Sequence, residues 1–207
     1  MTDSIRTALL IVDLQPDFMP GGALAVAEGD RIVAPIRDLV MSGRFDVVVA
    51  TQDWHPRNHV SFASHHGRPP FDVIDLYGHE QVLWPDHCVQ ATPGASLHPG
   101  MAREWVDAII RKGTDPAVDS YSAFRNNWNR WGDRPPTGLG GYLRERGTTH
   151  VHVCGLARDY CVQWTAEDAV DAGFRVRFLW DLTRPVDPKS DERVLTALRA
   201  TGVEVER

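Results

Sequence analysis

The chain has 207 residues, and 22 Lys and Arg against 28 Asp and Glu leave a formal charge of −6. That acidic balance, with no basic run to offset it, argues against a nucleic-acid or anionic-membrane partner. The 43% hydrophobic content is ordinary for a globular chain, and no apolar run approaches the ~20 residues a membrane span needs.

The first predicted element is a strand, the β-branched run Thr7–Val12. Ile32, Val33, Ile36, Leu39 and Val40 follow with helical spacing, between a cap candidate at Asp30 and Gly43. Pro35 inside that run predicts a late start or a kink. A second strand is expected over Asp46–Thr51 and a third over Val106–Arg111. These three runs are near-continuous, as in strands buried on both faces. A short helix is expected around Leu139–Arg146, then a fourth strand over Thr149–Cys154. Val162, Thr165, Ala166, Ala169 and Val170 form a helical stripe ended by Gly173. The fifth strand, Phe174–Leu179, leads to Asp187-Pro188, which reads as cap plus first helical position for a helix carrying Val194, Leu195 and Leu198. Val203–Val205 is a short sixth strand. The last three strands alternate more, as half-covered or edge strands do.

Strands alternating with helices predict an α/β fold, a Rossmann-like, mainly parallel six-stranded sheet with helices on both faces. One domain is expected over residues 1–207. The stretch from about 53 to 99 breaks the rhythm, and a loop of that length is expected to be functional. Seven of the nine His lie between His55 and His98. Only three Cys are present, and Met1–Ile11 lacks a signal peptide's basic start and cleavage site. A reducing cytoplasm is therefore expected, without disulfides.

Open parallel sheets bind ligands beyond the carboxyl ends of their strands. Asp13 follows the first run, Asp53-Trp54-His55 the second, Lys112 the third, and Gly155 to Cys161 the fourth. Cys161, near the start of a helix, is the sharpest nucleophile candidate, because unpaired amides and the helix dipole there lower a thiol pKa. Asp13 can take the thiol proton and return it to a leaving amine, with Lys112 steadying the ion pair. The backbone amides of Ala157 and Cys161 suit an oxyanion hole. In the extended stretch Asp53-Trp54-His55 the two outer side chains share a face, and His87 can supply a third metal ligand, with His59 as a spare. Phe18, Trp54, Trp84 and Tyr121 offer faces for a flat ring.

The motifs carrying these residues extend further. They are Val12-Asp13-Leu14-Gln15-Pro16-Asp17-Phe18 with Gly21-Gly22, Thr51-Gln52-Asp53-Trp54-His55-Pro56 with Asn58-His59, and Leu83-Trp84-Pro85-Asp86-His87-Cys88-Val89-Gln90. Arg111-Lys112-Gly113, Asp119-Ser120-Tyr121-Ser122-Ala123-Phe124, Gly155-Leu156-Ala157 and Asp159-Tyr160-Cys161-Val162 complete them. Together they resemble the isochorismatase-like cysteine hydrolases and, through the metal motif with Trp84 to Cys88, the nicotinamidase branch.

The resemblance implies the isochorismatase-like hydrolase fold with the metal loop inserted at 53–99. It implies a triad of Asp13, Lys112 and Cys161 and a cis peptide between Leu156 and Ala157. One divalent ion, zinc ahead of manganese or iron, is implied on Asp53, His55 and His87, where it meets the pyridine nitrogen. Phe18 and Trp84 are expected to flank the ring, with Leu24, Tyr121 and Leu156 also lining the pocket. The implied activity is hydrolysis of nicotinamide, with pyrazinamide as an analogue substrate, in NAD salvage; a homo-oligomer is allowed. Arg158 departs from the small hydroxyl residue that relatives carry there. Three rivals remain: an amidase of the same superfamily for another amide or carbamoyl compound, an idle nicotinamide- or metal-binding protein, and a papain-like Cys–His enzyme.

Overall fold

The computed structural model describes residues 5–207. Its centre is a six-stranded sheet in the order β5-β2-β1-β6-β7-β8, in which every neighbouring pair is parallel. The strands are β1 (Thr7–Val12), β2 (Val47–Asp53), β5 (Ala108–Lys112), β6 (His150–Leu156), β7 (Arg175–Arg184) and β8 (Glu204–Glu206). The helices are α1 (Val33–Met41), α2 (Ala63–His66), α3 (Leu139–Glu145), α4 (Gln163–Asp171) and α5 (Asp191–Ala200). Among the described residues no helix is long and apolar enough to cross a membrane.

From β1 the chain crosses to β2 on one side, and from β6 it crosses to β7 and β8 on the other. Right-handed crossovers in opposite directions put α1 on one face and α4 and α5 on the other. The order therefore reverses between β1 and β6, and a crevice opens beyond their carboxyl ends.

Local sequence explains most of the elements. α1 starts late, after a 3₁₀ turn over Gly29–Ile32, so Pro35 falls in its first turn, where a missing N–H costs nothing. Asp30 makes no cap bond there. Asp187 does cap its turn, accepting a hydrogen bond from the Lys189 amide at 3.0 Å.

Two burial expectations are reversed. The run over 106–111 becomes the edge strand β5, whose Ile109 is half exposed, because only β2 pairs with it. The run over 149–154, read as half-covered, becomes the interior strand β6 between β1 and β7. The stretch over 53–99 also holds an antiparallel hairpin that periodicity does not predict, β3 (Val73–Leu76) with β4 (His79–Val82). Its turn residues Tyr77 and Gly78 have φ of 57° and 85°, as a type I′ turn requires.

Gly155 shows how tightly the sheet closes beside the crevice. Its φ is 113°, and a Cβ there would overlap the backbone of Val12. Gly155→Ala is expected to destabilise the fold by roughly 3 kcal/mol, lowering Tm on the order of 10 °C. Calorimetry showing a shift below about 2 °C would contradict this reading of the contact.

Candidate active site

The carboxyl ends of four strands bring the polar residues together. Lys112, the last residue of β5, is completely buried, and its Nζ lies 2.9 Å from Asp13 Oδ2 and 2.5 Å from Asp53 Oδ1. It also donates to the Ser120 carbonyl at 2.8 Å and reaches Cys161 Sγ at 3.4 Å. Carboxylate oxygens of Asp13 and Asp53 and the Cys161 sulfur lie within 4.8 Å of one another. One cation thus serves two carboxylates and a thiol.

Asp13 has left the strand, with φ of 47°, and Thr51 holds it there. The Thr51 hydroxyl donates to Asp13 Oδ1 at 2.6 Å and accepts from the Asp13 amide at 3.0 Å. Burial raises the Asp13 carboxyl to about 6, against the pull of Lys112. Burial also acts on Asp53, but Lys112 and His55 outweigh it and hold this carboxyl well below the usual range. The two acids are therefore tuned apart: Asp53 stays ionised while Asp13 can exchange a proton near neutral pH.

Cys161 stands differently from its expectation. Residues Arg158–Val162 form a wide π-type turn, with the Val162 amide bonded to the Ala157 carbonyl at 3.0 Å, and α4 begins only at Gln163. Burial pushes the thiol well up, with Lys112 opposing, rather than the helix start pulling it down. Desolvation of a thiolate outweighs the turn's partial charges here, so the resting sulfur carries its proton.

His55 and His87 face Asp53. Their Nε2 atoms lie 3.6 and 3.9 Å from Asp53 Oδ2. Each Nδ1 is engaged on the far side, His55 at the Gly113 carbonyl (3.0 Å) and His87 at the Pro85 carbonyl (2.8 Å). Two imidazoles oriented through their outer nitrogens, aimed at a buried carboxylate, fit a divalent ion with open positions. Backbone bonds from the His55 amide to the Cys88 carbonyl (3.0 Å) and from the Gln90 amide to the His55 carbonyl (2.8 Å) bring the distant His87 alongside. Gln15, which the sequence reading left without a role, clamps Asp53: its amide nitrogen donates to the Asp53 carbonyl at 2.9 Å and its oxygen accepts from the Asp53 amide at 2.8 Å. His59 lies against the His55 ring, but its nitrogens meet the Ser61 hydroxyl (2.7 Å) and the Val118 carbonyl (3.2 Å). It makes no contact with the Asp53 carboxylate, and burial lowers its pKa to about 3.

Gly113 guards this arrangement. Its φ is 62°, and a Cβ would strike the His55 imidazole. Gly113→Ala should weaken metal affinity about 10–100-fold by turning that ring. Metal titration of the dialysed variant checks it, and an unchanged affinity would rule it out.

A narrow cleft lies over these groups, with about 340 Å³ between its walls counting what opens to solvent. Phe18, Leu24, Trp84 and Tyr121 line it, together with Asp53, His55, His87, Ala157 and Cys161. Asp119, Ser120, Tyr160 and Val186 join them without having been singled out from sequence for the pocket. Leu156 does not line it. Its side chain is fully buried at the end of β6, with Cδ1 beside Gly29. The peptide between Leu156 and Ala157 is cis. Trp84 and Tyr121 are fixed by hydrogen bonds, with the Tyr121 hydroxyl accepting from Trp84 Nε1 (3.3 Å) and from the Gln81 amide (3.2 Å).

The isochorismatase domain signature matches residues 7–207. The chain belongs to the isochorismatase family. Among its relatives is a nicotinamidase of Acinetobacter baylyi, 45% identical over 99% of this chain and 94% of that one. PnC1 from L. infantum, solved in complex with nicotinate, superposes with a TM-score of 0.85 at 40% identity, covering 98% and 92% of the two chains. A pyrazinamidase of Pyrococcus horikoshii in complex with zinc gives a TM-score of 0.78 at 36% identity, covering 98% and 99%. Within this isochorismatase-family chain Arg158 does not cap the turn that carries Cys161. Its buried guanidinium turns away to Thr183 Oγ1 (2.8 Å), the Thr183 carbonyl (2.8 Å) and Asp191 (2.7 Å), and stacks 4.0 Å over Trp180.

Proposed function

We propose that this protein is a nicotinamidase, converting nicotinamide and water to nicotinate and ammonia. One observation carries the reading: Asp13, Lys112 and Cys161 converge beneath the same aromatic cleft that Asp53, His55 and His87 border. The relatives' names and the bound nicotinate of a 40% identical structure support the substrate.

In the proposed mechanism Asp13 accepts the Cys161 proton as sulfur attacks the carboxamide carbon. The carbonyl oxygen becomes an oxyanion facing the amides assigned to the hole, Ala157 and Cys161. Asp13 then gives its proton to the departing nitrogen, the C–N bond breaks, and ammonia leaves a nicotinoyl thioester. Water attacks that thioester while Asp13 takes one of its protons. The carboxylic acid forms and the proton returns to the Cys161 sulfur. Lys112 remains charged throughout, offsetting the negative charge on Asp13 and on sulfur in turn. Phe18, Trp84 and Tyr121 hold the ring and exclude water. Asp53 Oδ2 and Nε2 of His55 and His87 would hold a divalent ion, zinc in our assignment, which when bound supplies a Lewis acid to a ring nitrogen. A reducing cytoplasm suits three buried cysteines that are all unpaired, and the nicotinate formed would feed pyridine nucleotide salvage.

The test is ammonia release from nicotinamide by the purified, metal-loaded protein. Asp13 must be ionised to take the proton, so kcat/KM should fall with a one-proton slope as pH drops below about 6. A protein that binds nicotinamide yet releases no ammonia would refute the reading.

A further inference from the structure

Two residues beside the nucleophile grip the β7–α5 connection. The Asp159 carboxylate, itself buried, accepts the amides of Val186 and Asp187 at 2.8 and 2.9 Å and the Ser190 hydroxyl at 3.1 Å. Arg158, next to it, holds the flanks of the same connection, at the Trp180 and Thr183 carbonyls (3.2 and 2.8 Å) on one side and at Asp191 (2.7 Å) on the other. Between these grips lies Val186, a half-buried residue that lines the cleft. An exposed β7–α5 connection would ordinarily be free to shift, since loops carry few packing constraints. Here the six hydrogen bonds named above tie it and its flanks to the turn that carries Cys161.

We propose that Val186 sets which ring substituents the cleft admits, and that Asp159 is the positioning residue that holds Val186 in place. This rests on the nicotinamidase reading and deepens it. The wall is a single branched aliphatic side chain held by its own backbone amide. Removing its methyl groups opens a defined volume without touching Cys161, Asp13 or Lys112. A pocket of this kind discriminates by size, at about 10–200-fold per methylene.

The experiment compares kcat/KM for nicotinamide with that for each of the ring-methylated nicotinamides. Val186→Ala is expected to raise the ratio of one methylated isomer to nicotinamide by about tenfold. Val186→Leu, which fills the wall further, should lower the same ratio. Asp159→Asn keeps the shape and gives up one acceptor, so it should shift the ratio in the direction of Val186→Ala by a smaller factor. If Asp159 acts through Val186, Asp159→Asn added to Val186→Ala leaves the ratio where Val186→Ala alone put it. A merely structural role for Asp159 would change kcat or Tm and leave that ratio unmoved in both backgrounds. Ratios within twofold of wild type for every isomer in Val186→Ala overturn the wall. Effects of the two substitutions that multiply overturn the role of Asp159. If Asp159→Asn does not fold, the Ala and Leu variants at 186 still decide the wall. Wild-type protein that turns over no nicotinamide would instead overturn the underlying activity, which separates the two failures.

Discussion

Cys161→Ala is expected to lower nicotinamide turnover by at least about 10⁴-fold while leaving the fold intact. The sulfur is the one thiol lining the cleft, and the other two cysteines, Cys88 and Cys154, are fully buried elsewhere. Ser120 also borders the cleft, but its hydroxyl donates to the Ser122 carbonyl at 3.4 Å and not to a carboxylate or imidazole. A serine standing in for the cysteine is therefore not expected, and Ser120→Ala should remain active. Cys161 is small and sits in a turn secured by the Arg158 and Asp159 bonds, so Ala there should move Tm by no more than a few degrees, roughly what 1 kcal/mol produces. Ammonia release gives the rate, and mass spectrometry of acid-quenched wild type gives a nicotinoyl adduct on the peptide carrying Cys161. Turnover in the Ala variant within a hundredfold of wild type would remove Cys161 from the mechanism.

Lys112→Met should damage both activity and stability. Lys112 has no solvent exposure, and its ammonium lies between Asp13 and Asp53. Burial works against its charge, but the two carboxylates more than compensate and hold its pKa well up. Without the cation, two buried acids face each other within 4.8 Å with nothing between them. Breaking a buried pair by removing one partner costs about 3–5 kcal/mol, which corresponds to a Tm loss on the order of 10 °C. The catalytic effect has a definite sign. Burial and Asp53 both raise the Asp13 carboxyl, and Lys112 is the principal group lowering it. Its loss therefore keeps Asp13 protonated to higher pH, and a protonated acid cannot accept the thiol proton. The acidic limb of kcat/KM should move upward, and activity at pH 7 should fall by at least about 10³-fold. A Met variant with wild-type Tm and an unmoved pH profile would show that Lys112 is a bystander.

Much of the fold was legible because it rests on short-range pattern. The β-branched run Thr7–Val12 forms β1 with those bounds, and the caps and breakers near Pro35, Gly173 and Asp187 mark real helix ends. What periodicity does not carry is which strand lies beside which. Val106–Arg111 looks like a fully buried strand, yet it sits at the sheet's edge, and His150 and His152 make an interior strand look half-covered. The hairpin escaped notice because four-residue strands alternate too briefly and Tyr77-Gly78 is not a usual turn pair. The same division runs through the site. Asp13, Lys112 and Cys161 announce themselves by following strand ends. Thr51 and Gln15 act only through neighbours remote in sequence, and Val186 is brought to the cleft by an acid 27 positions earlier. Leu156 is the reverse case, since adjacency to a reactive motif does not by itself bring a side chain to the cleft.

The shared ammonium of Lys112 has an evolutionary consequence. In the proposed mechanism Asp53 belongs to the metal-ligand set and Asp13 to the proton-transfer set, and both pair with the same nitrogen. Substitutions at the two positions cannot have independent effects, since each changes the field that the other acid feels. Adaptation of this scaffold to a different metal and adaptation to a different leaving group are therefore epistatic. A lineage that altered one carboxylate would inherit a selection pressure on the other, and the path between such variants would run through Lys112.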